Sequence, residues 1–196
     1  MSGVNESIVR EFFEERGFLV RQQRKFVAPG LAADDEIDFV VLNPRPQAST
    51  QDRPFILEAT DVASIVSAVV AIKGWHTETF SAAMLAQEPE LARFTDPDRV
   101  ARCAKTHGLA EPVTRLLVVP ALPQTHEARA DASEALRARG VDAVLPFRTL
   151  LADLLLQIEV NRNYAKSDLL QTLRILKNYD LIKDPAMELF RPRRRR

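Results

Sequence analysis

Short apolar runs closed off by turn residues constrain this chain more than any other feature. EIDFVVLN (36–43), RPFILEAT (53–60) and TRLLVVP (114–120) have the length of strands, and polar or proline-containing loops bound them. Helical periods lie between them. Residues 6–16 present Ile8, Val9, Phe12 and Phe13 on one face, with Asn5 to cap the helix and Gly17 to stop it. Residues 18–27 read as extended. A long helical segment is expected over residues 61–85, interrupted by Gly74, and a second from Asp96-Pro97 to a stop at Gly108. Residues 125–139 form an amphipathic pattern, 141–146 a short strand, and the chain from Arg148 onward is helical with a break at 161–166. This order predicts an α/β fold, a mixed central sheet flanked by helices, with a C-terminal helical appendage. The expected divisions are a core over 1–147, a helical extension over 148–190 and an arginine-rich tail over 191–196.

Several classes of function lose support. No apolar run approaches the ~20 residues of a membrane span, so no membrane partner is expected. The opening residues, with Glu6, Arg10 and Glu11, do not read as a secretory signal. A single cysteine, Cys103, leaves no intramolecular disulfide and no multi-thiolate metal site, which suits the cytoplasm. Neither GxGxxG nor GxxxxGK[ST] follows a strand, and no GxSxG surrounds any serine. His76, His107 and His126 are not spaced to share a helix face, so no zinc site is expected. Trp75 beside Lys73 reads as a core side chain or as one that stacks on a base.

The 27 basic and 27 acidic residues cancel, but not evenly along the chain. Residues 1–100 carry a net charge of −6 and residues 101–196 a net charge of +6, ending in Arg193, Arg194, Arg195 and Arg196. Clustered cations release counterions from phosphate, so the basic half suits a polyanion, with DNA the expected partner. The last six residues suit a solvated tail equally well.

Two carboxylates stand out. Alternation places Asp38 with Val40 and Leu42 on one face of the 36–43 strand, and Glu58 with Ile56 and Thr60 on one face of the 53–60 strand. If those strands are neighbours the two acids meet. Converging carboxylates repel, so the third party is a divalent metal or a basic side chain. The alternative is a solvated Asp38 and a Glu58 paired with an arginine.

A helix bearing Glu6, an extended segment, a strand with Asp38, then FILEAT and a helix resembles the PD-(D/E)xK nuclease superfamily, with its restriction-endonuclease-like fold. In pattern it is similar to the archaeal Holliday-junction resolvases, over roughly residues 5–90. The resemblance implies Asp38 and Glu58 as ligands of Mg²⁺ or Mn²⁺, Glu6 as an auxiliary acid, and Thr60 at the position of the family's lysine. In that chemistry the metal activates a water and stabilises the in-line transition state. Thr60 brings no charge, so Lys73, Lys25 or Arg24 becomes the substitute cation. Two readings follow: a metal-dependent DNA endonuclease, or a catalytically degenerate nuclease fold serving as a nucleic-acid-binding or assembly module. In the last helix, Leu169, Leu170, Leu173, Leu176 and Tyr179 form a stripe suited to core packing or to a homodimer contact.

Overall fold

The computed structural model describes residues 3–23, 36–48, 52–74, 76, 79–86 and 88–182. A five-stranded mixed sheet lies between two layers of helices. Its strands are β1 (Leu19–Gln22), β2 (Phe39–Leu42), β3 (Ser67–Ile72), β4 (Thr114–Val119) and β5 (Ala143–Pro146), arranged in chain order across the sheet. The pairs β1–β2 and β2–β3 are antiparallel, whereas β3–β4 and β4–β5 are parallel.

The helices are α1 (Gly3–Glu15), α2 (Ala82–Ala86), α3 (Pro89–Thr95), α4 (Pro97–His107), α5 (His126–Ala138), α6 (Phe147–Gln157) and α7 (Asp168–Asn178). One face of the sheet meets α1, α6 and α7 through Phe12, Phe13, Leu150, Leu154 and Leu170. The other meets α2, α3 and α5 through Leu85, Leu91, Phe94 and Leu136. The helices after residue 147 therefore share the main apolar layer with α1. Local signals set several boundaries. Gly17 at φ 78° turns the chain after α1. The Asp96 carboxylate accepts from the Arg99 amide at 3.0 Å to start α4, and left-handed Gly108 ends it.

Two segments differ from the sequence expectation. The helix expected over 61–85 is a 3-10 turn, Asp61–Ser64, and then β3, and among the described residues only its end is α-helical, in α2. All six residues of SAVVAI are buried, as suits a strand covered on both faces, and its valines and isoleucine favour that pleated surface. The strand expected over 53–60 forms no ladder. Its one bridge joins Ile56 to Val144, with the Leu57 amide donating to the Val144 carbonyl and the Val144 amide to the Phe55 carbonyl, both at 2.8 Å. It is a short strap along the outer edge of β5.

Candidate functional site

The start of β2 and the end of β3 meet at one end of the sheet. Asp38 holds the β3 backbone on either side of Ala71. Its amide donates to the Val70 carbonyl at 2.8 Å, and its carboxylate Oδ2 accepts from the Ile72 amide at 2.7 Å. A side-chain oxygen thus does the work of a ladder carbonyl where the strands separate, and Asp38 is only 9% exposed. Ala71 packs in the α3–α5 layer with Val69, and Lys73, two residues on, follows the same alternation.

Lys73 is 6% exposed. Its ammonium is bonded to Glu90 and lies 3.8 Å from Glu88, both at the start of α3. Burying an ammonium at such depth is costly, and the facing carboxylates offset that cost. Close by in sequence to Asp38, Glu36 pairs with Arg93 at 3.6 Å.

The first turn of α1 closes over the same strand end. The Asn5 amide lies 3.4 Å from the Gly74 carbonyl and its Oδ1 2.9 Å from His76 Nε2, while the His76 ring meets Phe147 edge-on at 4.7 Å. A Cβ on Gly74 would stand 2.0 Å from Asn5 Nδ2, so a larger residue there displaces the Asn5 amide. Glu6, one residue on, accepts from Gln22 Nε2 at 2.5 Å. At the end of β1, the Gln23 amide donates to the Asp38 carbonyl and Gln23 Nε2 lies 2.8 Å from His107 Nε2. With Gln23 Nε2 donating, His107 Nε2 accepts, and His107 Nδ1 is buried with no hydrogen-bond partner among the described residues. Burial first, and the Arg21 charge second, hold the His107 pKa below its ordinary value.

The residues expected to form a metal site are not brought together. Glu58 is exposed and follows the strap, which lies four strand spacings of ~4.8 Å from β2. Its amide donates to Asp61 Oδ2 at 2.8 Å. Thr60 lies with Asn43 beyond the far end of β2 from Asp38. The expectation that the 36–43 and 53–60 segments are neighbouring strands fails because β3, unread in the sequence, occupies that place beside β2. Lys73, expected on a helix, instead directly follows β3. The signal that could have placed it is the β-branched run SAVVAI stopped by Lys73-Gly74. Lys25, Arg24, Trp75 and Arg193–Arg196 lie outside the described residues.

The donor set does not fit the Mg²⁺ or Mn²⁺ that the resemblance implies. Such an ion is usually held by one or two carboxylates together with substrate phosphates. Here Asp38 already serves the Ile72 amide, Glu6 serves Gln22, and the position between Asp38's two backbone bonds carries the methyl of Ala71. Among the described residues no group of three or more His, Cys, Asp or Glu side chains is arranged to hold a metal.

No family model matches the chain, and no curated protein or solved structure matches it either.

Proposed function

We propose that this chain is a restriction-endonuclease-like domain with an incomplete metal centre, and that it binds nucleic acid without hydrolysing it. The observation that carries this reading is the trio Asp38, Ala71 and Lys73. An opening helix, an antiparallel β1–β2 pair with Asp38 just before β2, and a third strand followed at once by Lys73 are the parts the resemblance calls for. Ala71-Ile72-Lys73 thus takes the place assigned in sequence to Glu58-Ala59-Thr60, with alanine where the motif has its acid. A methyl group ligates nothing, and Lys73 is neutralised by Glu88 and Glu90. What remains of a phosphate-directed protein is the fold and the basic second half of the chain.

Fluorescence anisotropy with labelled duplex and single-stranded DNA, alongside a cleavage assay in Mg²⁺ and Mn²⁺, tests this. Binding that weakens steeply with salt, with no cleavage, is the expected result. Cleavage abolished by Asp38→Asn overturns the non-catalytic part, and absence of binding at low salt overturns the rest.

A second reading, assembly through the C-terminal helices, is favoured by Tyr179 and Leu181, each 70% exposed beside Ile175. Leu169, Leu170 and Leu173 pack on the core instead, so only the end of the expected stripe is free to meet a second copy. A concentration-dependent dimer on light scattering that Tyr179→Asp disperses supports it.

A further inference from the structure

Beyond the far end of β2 from Asp38, a cleft of about 680 Å³ opens between the end of α1, the loop after β2, the 3-10 turn and the end of α6. Its size falls within the range of small-molecule sites, roughly 300–1,000 Å³. Its walls are tied by hydrogen bonds that do not depend on a ligand. Asn43 Nδ2 donates to the Ala63 carbonyl at 3.0 Å, the Arg45 amide to Asn43 Oδ1 at 3.0 Å, and the Gln47 amide to the Ala63 carbonyl at 2.9 Å. In the floor the Arg16 guanidinium lies 3.7 Å over the Phe12 ring, donates to the Phe12 carbonyl and is ion-paired with Asp153. A cleft built this way exists before anything enters it, which lowers the cost of binding.

The groups left over are mostly donors. Arg45 is exposed, and its guanidinium has no hydrogen bond or ion pair among the described residues. The Thr60 hydroxyl makes no capping bond. Asp153, the one carboxylate among the described residues of the cleft, is taken by Arg16 and by Gln157 Nε2 at 3.2 Å, so the unbalanced charge among them is the positive one on Arg45. Phe18, Pro44, Ala59 and Ala63 supply apolar wall between these polar groups.

We propose that this cleft binds a small organic anion, a phosphorylated or carboxylated molecule with a planar or apolar body. The anion sits against Arg45 and Thr60, and the body fills the space between Pro44 and Ala63. The site is separate from the Asp38 end of the sheet and holds whether or not the chain binds nucleic acid.

Isothermal titration of the full chain with adenosine 5′-monophosphate, benzoate and inorganic phosphate tests it. The expected result is saturable binding of the monophosphate or benzoate, weakened about tenfold or more by Arg45→Glu. Arg148→Glu, at an exposed arginine on α6 outside the cleft, leaves it unchanged. Ala63→Leu narrows the cleft without altering charge, and weakens both organic probes. Whichever of the two binds more tightly identifies the anionic group. The proposal is overturned if neither organic probe binds at millimolar concentration, if inorganic phosphate binds as tightly as both, or if Arg45→Glu changes nothing.

Discussion

Asp38→Ala removes the acceptor that the Ile72 amide uses and leaves a buried donor unpaired, at a cost of about 1–3 kcal/mol. Asp38→Asn keeps an oxygen in place and loses less, which chemical denaturation of the two variants resolves. Asp38 therefore has a structural task whatever else it does. Lys73→Met leaves the Glu88 carboxylate, 12% exposed, without its cation, and lowers stability by about 3 kcal/mol. Adding Glu88→Gln and Glu90→Gln recovers most of that loss if the ion pair is its source; a triple variant as unstable as Lys73→Met assigns the loss to packing. His107 titrates in the opposite sense from a salt-bridged histidine. Its pKa is lowered on folding, so the unfolded chain binds the extra proton first. Stability contributed by neutral His107 is present above the ordinary histidine pKa of ~6.5 and is lost as pH falls toward the folded value. Protonation also turns the nitrogen facing Gln23 into a second donor. His107→Gln flattens the pH dependence of the melting temperature below that point, and an unchanged slope rules His107 out as its source.

The junction of α1 with β3 is the element-scale feature most sensitive to substitution. Gly74→Ala drives a methyl into the Asn5 amide, which must swing away and give up its bonds to the Gly74 carbonyl and His76. Thermal unfolding detects this as a lowered midpoint, and Asn5→Ala in the same chain relieves the clash. If Asn5→Ala gives no relief, the collision is not the cause. Sequence made α4 legible because Asp96, Pro97 and Gly108 mark its start and stop, and α1 legible through its apolar face and Gly17; Asn5, expected to cap α1, lies inside the helix and bonds Gly74 and His76 instead. It hid β3, because SAVVAI is as apolar as a buried helix and lies where a helix after a strand is expected. It misplaced the 53–60 segment for a related reason. An apolar run with proline near its start looks the same whether it pairs along its length or touches a neighbour at one residue. The site inherited both errors. Asp38 was visible as an acid in an apolar run and Lys73 as a nearby cation. Ala71 carries no chemical signal, and its importance comes only from standing between the two bonds of Asp38.

At the scale of the whole molecule, the sheet's two edges are managed differently. β1 is a four-residue edge strand with Leu19 and Arg21 exposed, short and charged in the manner of strands that resist pairing with another chain. β5 is covered by the strap, which supplies the Leu57 amide to it. Leu57→Pro deletes that donor and uncovers the edge. The expected outcome is a lower melting temperature with concentration-dependent aggregation on light scattering; a monomer as stable as the parent chain shows that the strap is dispensable.

That strap also sets an order of events during synthesis. Ile56 and Val144 are 88 residues apart in the chain, and the strap's partner strand is the last to be made. A chain emerging amino-terminus first has α1, β1, β2 and β3 in hand while segment 55–57 still lacks the β5 edge that its backbone bonds to. The β5 edge and its cover are completed together, late, by a contact of high sequence separation. A ribosome stalled before residue 143 would therefore display Phe55, Ile56 and Leu57 as a ready binding site for a chaperone.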